Sequence, residues 1–128
     1  MRAEEVRAVL GSMGKRPTKR LGQHFLLDDR IIRRQVELAS LKEGETVLEI
    51  GPGIGNLTEE ILSHGVKLVA VEQDSGFCTF LRRRFGERID LIEADAVRAF
   101  LPPFDKVVAN LPYQISSPIT FKLLDIGF

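Results

Sequence analysis

The sequence predicts an α/β domain built on a parallel sheet with helices on both faces. From residue 46 onward, short Val/Ile/Leu-rich runs alternate with segments of helical period, and that alternation implies right-handed βαβ crossovers. The runs are almost continuously apolar rather than alternating, as in strands buried on both faces. At 128 residues, with 44% hydrophobic and 28% charged side chains, the chain suits one domain with a real core.

The elements follow in order. Residues 3–10 read as a short helix because Val6, Val9 and Leu10 share a face, and Gly11 and Gly14 break it. Residues 1–20 form a basic N-terminal arm, densest from Lys15 to Arg20, and residues 21–128 the domain itself. Leu21-Gly22-Gln23-His24-Phe25-Leu26 reads as a loop carrying apolar residues suited to burial. A helix from about Asp29 to Ser40 sets Ile32, Val36 and Ala39 on one face. Thr46–Ile50 is a first strand, followed by a Gly-rich turn and a helix over Asn56–Ser63. Lys67–Val71 is a second strand, and Ser75–Phe85 a helix with Phe77, Phe80, Leu81 and Phe85 inward. Arg88–Ile92 is a third strand and Lys106–Ala109 a fourth. Ser117 can cap a last helix with Pro118 at its first position, where a missing N–H costs nothing.

In the usual order for such a sheet, the first strand is central, the second and third lie to one side and the fourth to the other. The sequence stops at Phe128, leaving Leu123, Leu124, Ile126 and Phe128 in need of a packing surface. Sheets of this type usually carry further strands. The 128 residues are therefore expected to be the front of a longer domain, truncated after the fourth strand and its helix. An open edge and apolar patches are expected to make such a fragment self-associate.

Charge and composition exclude several classes. No apolar run approaches the ~20 residues of a membrane span, and Glu4, Glu5 and Arg7 interrupt any signal-peptide pattern. A single cysteine, Cys78, rules out an intramolecular disulfide and a Cys-based metal cluster. The expected compartment is the cytoplasm, with no membrane partner and no metal. The net charge is zero, yet residues 1–34 hold nine Lys/Arg against four Asp/Glu. A basic arm on a mildly acidic body suits a polyanionic partner, because neutralised phosphates release counterions.

Three motifs carry chemistry. Glu49-Ile50-Gly51-Pro52-Gly53-Ile54-Gly55 joins the first strand to its helix, where glycines admit positive φ and close ligand approach. Glu72 ends the second strand, placed to accept both ribose hydroxyls of a nucleoside. Those two features would also suit NAD, but the glycines run G-x-G-x-G rather than G-x-G-x-x-G. A second acid, Asp95, ends the third strand in Glu93-Ala94-Asp95-Ala96 and can accept an adenine amino hydrogen. Finally, Asn110-Leu111-Pro112-Tyr113 follows the fourth strand. An adenine exocyclic amine is a poor nucleophile because its lone pair is delocalised into the ring. The Asn110 oxygen and a carbonyl of Leu111-Pro112, aimed by the proline, would draw that nitrogen toward sp³ geometry. Tyr113 would stack on the flipped base.

Gln23-His24-Phe25-Leu26, Glu49–Gly55, Glu72, Asp95 and Asn110–Tyr113 together resemble the ribosomal RNA adenine dimethyltransferases, and the run Asn110-Leu111-Pro112-Tyr113-Gln114-Ile115-Ser116-Ser117-Pro118 most resembles their archaeal and eukaryotic branch. The resemblance runs from about Lys19 to the end of the chain. It implies a Rossmann-like class I methyltransferase fold and S-adenosyl-L-methionine as cofactor. The implied activity is N6,N6-dimethylation of two adjacent adenosines near the 3′ end of small-subunit rRNA, during ribosome biogenesis. By position it places Gln23, His24, Leu26, Gly51, Gly53, Gly55, Glu72, Asp95, Ala96 and Asn110 at the cofactor. Asn110, Leu111, Pro112 and Tyr113 fall at the reacting amine. The family often has Asn where this chain has His24, which makes that contact pH-sensitive here.

The implied partner is rRNA in the small subunit or its precursor. A large-subunit rRNA or DNA adenine N6-methyltransferase remains an alternative, as does a non-catalytic ribosome-assembly or RNA-binding factor of the same fold. His64 reads as a helix-end surface residue and Cys78 as packing. Arg82-Arg83-Arg84 reads as a solvated helix face before an RNA contact.

Overall fold

The computed structural model describes residues 3–14 and 29–109. Its elements are α1 (Ala3–Ser12), α2 (Asp29–Ala39), β1 (Thr46–Ile50), α3 (Asn56–Leu62), β2 (Lys67–Glu72), α4 (Ser75–Phe85), β3 (Asp90–Glu93) and β4 (Lys106–Ala109). The four strands are all parallel in the order β3-β2-β1-β4, as the sequence predicts. The helix that the sequence places after Ser117 lies outside the described residues.

Side chains alternate across β1 and β2. Val47, Leu68 and Ala70 face α2, α3 and α4, packing with Ile32, Val36, Leu57, Ile61, Leu81 and Phe85. Leu48, Ile50, Val69 and Val71 face the other way, against Ala96, Val97, Leu101 and Phe104 of the β3–β4 connection. Among the described residues, helices thus line one face and this connection lines the other. Asp105 fastens the far end of the connection to β1, exchanging hydrogen bonds of 2.8 Å in both directions with the Thr46 backbone.

The third strand begins later than the sequence reading has it. Gly86 ends α4 with φ of 54°, and residues Gly86–Arg88 wind one further 3₁₀ turn before β3 starts at Asp90. Arg88 is held in that turn by Glu59 at 3.1 Å and by the Phe85 ring, 5.6 Å from its guanidinium carbon. Of the predicted inward face of α4, Phe77, Leu81 and Phe85 are buried and Phe80 is half-buried.

Among the described residues no helix is long and apolar enough to cross a membrane. His64 lies half-buried in the turn after α3, 3.9 Å from Glu60. Cys78 is buried, its Sγ donating to the Glu72 carbonyl at 3.3 Å. Burial pushes its thiol up to about 12, so it stays protonated and packs.

Candidate cofactor site

In a parallel sheet all strand ends of one kind share an edge, so β1, β2, β3 and β4 deliver their following residues to one rim. Ile50 pairs with Val71 on one side and Ala109 on the other, and Glu72 pairs with Glu93. The glycine turn, Glu72 and the segment leading to Asp95 therefore leave neighbouring strands at the same level.

Hydrogen bonds lock these parts together. Gly51, Gly53 and Gly55 all have positive φ, of 69°, 60° and 91°, which opens the backbone without side-chain obstruction. The Gly51 N–H donates to the Val71 carbonyl at 2.9 Å. The Gly53 N–H donates to Glu72 Oε1 and the Asp74 N–H to Glu72 Oε2, each at 3.0 Å. On the other side, the Ala94 N–H donates to the Glu72 carbonyl at 3.0 Å. Asp74 in turn caps α4, accepting from the Phe77 N–H at 3.0 Å.

Glu72 is only 7% exposed. Burial raises its pKa above the ordinary carboxylate value, against the opposing pull of the Asp74 and Gly53 N–H groups. A carboxylate offers about four lone-pair sites, so beside the Gly53, Asp74 and Gln73 N–H groups Glu72 keeps capacity for a hydroxyl donor. Asp95 accepts the Val97 N–H on Oδ1 at 2.9 Å, while Oδ2 lies 3.9 Å from Arg98 Nε. Its remaining acceptor sites are available to an amine. A pair of acids with spare acceptor capacity, beside a bare glycine backbone, fits the ribose and adenine of a nucleoside cofactor. Ala96, the neighbour of Asp95, is half-buried and packs against the Leu48–Val71 face.

Gln23, His24 and Leu26, and likewise Asn110, Leu111, Pro112 and Tyr113, lie outside the described residues.

Two features depart from the sequence reading, which gives Glu49 no role of its own and takes Arg82-Arg83-Arg84 as a solvated helix face. Glu49, inside the first strand, is fully buried and accepts the Thr58 hydroxyl of α3 on Oε1 at 2.5 Å. Its Oε2 has no hydrogen-bond partner among the described residues, and burial raises its pKa to about 7. An acid in an otherwise apolar strand was the available signal. Second, the Arg82–Arg84 run is mostly engaged within the fold. Arg82 pairs with Glu93 at 3.2 Å, and Arg84 donates to the Ile54 carbonyl at 2.7 Å. Arg83 is exposed.

A sequence model for a family described as ribosomal RNA adenine dimethylase matches residues 14–127. A Thermococcus sibiricus protein named "Probable ribosomal RNA small subunit methyltransferase A" is 43% identical over 125 residues, covering 97% of this chain and 46% of that protein. Among solved structures, a dimethyladenosine transferase from Plasmodium falciparum is 35% identical with a TM-score of 0.70, over 77% of this chain and 37% of the other. The 23S rRNA methyltransferase ErmE is 34% identical with a TM-score of 0.73, over 80% of this chain and 43% of the other. The chain spans less than half the length of the curated relatives it matches.

Proposed function

Since this chain belongs to the ribosomal RNA adenine dimethylase family, we propose that it carries the cofactor-binding part of an S-adenosylmethionine-dependent enzyme. That enzyme dimethylates the N6 nitrogens of two adjacent adenosines near the 3′ end of small-subunit rRNA, in ribosome biogenesis. The observation that carries the reading is Glu72, buried at the sheet edge and tied directly to the glycine turn. The bound cofactor supplies an electrophilic methyl group on a sulfonium centre. Glu72 would accept the ribose hydroxyls, Asp95 the adenine amine, and the bare backbone of Gly51 and Gly53 would admit the rest. Gln23, His24 and Leu26 would close the site from the N-terminal loop.

At the substrate, the Asn110 side-chain oxygen and a carbonyl of Leu111-Pro112 would accept the hydrogens of the adenine amine. Tyr113 would stack on the base. The small-subunit assignment is supported by the 43% identity to the Thermococcus sibiricus protein, higher than the 34% to ErmE. The basic arm of residues 1–20 would meet rRNA phosphates.

Two outcomes test this reading. Glu72→Ala removes a charged acceptor and should weaken S-adenosylmethionine binding by about 10–150-fold, equivalent to about 1.5–3 kcal/mol. Titration calorimetry checks it: an alanine variant that binds as tightly as the parent removes Glu72 from the site. Asn110→Ala and Tyr113→Ala should slow single-turnover methyl transfer far more than they weaken cofactor binding, because they act mainly in the transition state. Unchanged rates would make that turn purely structural and favour an assembly factor without catalysis.

A further inference from the structure

We propose that Arg84 is a positioning residue of the cofactor turn, holding it in its binding-competent shape from α4. This deepens the reading that residues 51–55 receive the cofactor, and rests on it. The turn has little stiffness of its own, since three of its five residues are glycines and glycine loses more conformational freedom on ordering than any other residue. Gly55, which occupies the N-cap of α3, brings no side chain to cap the helix. The turn must therefore be held by ties from elsewhere. Gly51 and Gly53 are tied through their N–H groups to β2, and the Gly55 N–H closes back on the Pro52 carbonyl at 2.9 Å.

Ile54, between the last two glycines, is held twice. Its side chain is fully buried against Leu10 of α1 and Phe77 of α4. Its carbonyl accepts from Arg84 Nη1 at 2.7 Å, across 30 residues of sequence. A guanidinium–carbonyl bond is charge-assisted and therefore stronger than an ordinary one. The Arg84 guanidinium carbon also lies 5.0 Å from the Phe85 ring centroid, and that ring abuts Gly55. Arg84 and Phe85 thus press on consecutive residues of the turn, one by a hydrogen bond and one by contact.

Hydrogen exchange and calorimetry on the protein carrying Arg84→Met or Arg84→Lys test the proposal. Methionine keeps the apolar stem and loses the donor, whereas lysine keeps a charged donor. In Arg84→Met, the amides of Gly53 and Gly55 should exchange about tenfold faster while the β1 and β2 amides keep their protection. S-adenosylmethionine affinity should fall about tenfold, and kcat at saturating cofactor should hold. Arg84→Lys should restore most of both. Turn protection and affinity unchanged in Arg84→Met would overturn the proposal. So would a loss of protection spread evenly over the sheet, which marks a general structural role. Should the parent protein itself not bind S-adenosylmethionine, the cofactor reading fails, and the exchange pattern alone decides whether Arg84 holds the turn.

Discussion

Gly55→Ala is expected to destabilise the fold by about 2–5 kcal/mol, two effects adding at one position. Gly55 has φ of 91°, where an L side chain costs about 1–2 kcal/mol. A Cβ there would also sit 2.4 Å from Phe85 Cε2, 2.8 Å from its Cζ and 3.3 Å from Leu81 Cδ2. The Phe85 ring is itself buried in the core, so it cannot swing into solvent, and overpacking of this kind typically costs about 1–3 kcal/mol. Denaturant unfolding at constant m-value measures the loss. Phe85→Leu in the Gly55→Ala background should recover the steric part and leave the conformational part, so the double-mutant cycle should show favourable coupling. A Gly55→Ala protein as stable as the parent would mean that α3 and α4 are not packed as described.

Glu49 should make the fold lose stability as pH rises through the weakly acidic range. Burial lifts its pKa from the ordinary 4.5 to about 7, against the Thr58 hydroxyl bond, with the nearby Glu72 charge adding to the rise. Between those values the folded chain binds more protons than the unfolded one, so unfolding free energy falls with rising pH. The stabilisation is complete below about pH 4.5 and lost above about pH 7, amounting to about 3 kcal/mol. Glu49→Gln keeps an oxygen for Thr58 and removes the ionisation, so most of that slope should vanish. Glu72, also raised, leaves a residual slope of the same sign. Parent and Glu49→Gln profiles with equal slopes between pH 4.5 and 7 would contradict the burial of this carboxyl.

The framework was legible in the sequence because the physics behind it is local or periodic. Continuous apolar runs marked β1 and β2, and the 3.6-residue spacing of Phe77, Leu81 and Phe85 marked α4. The glycines and Glu72 were legible as a pair because a parallel βαβ unit brings the ends of consecutive strands together. Other features depend on contacts that no spacing encodes. Arg84 meets the Ile54 carbonyl 30 residues away, and a run of three arginines on a helix reads more simply as a solvated face. The start of β3 was missed because Gly86 permits an extra turn that the apolar pattern of Ile89, Leu91 and Ile92 does not reveal. Glu49 was visible as part of the motif, but its partner Thr58 lies on the buried side of α3, where the apolar neighbours Leu57 and Ile61 dominate the pattern.

The proposed activity is methyl transfer from S-adenosylmethionine to adenosines of small-subunit rRNA. Incubating the protein, in the longest form in which the chain is made, with methyl-labelled cofactor and immature small ribosomal subunits tests it most directly. Digestion to nucleosides and mapping of the label give the product and its place. Label recovered as N6,N6-dimethyladenosine at two adjacent positions near the 3′ end of the small-subunit rRNA, and reduced in Glu72→Ala at cofactor concentrations that do not saturate the variant, is the predicted result. Label confined to large-subunit rRNA, or cofactor bound with no label in either rRNA, would contradict the account.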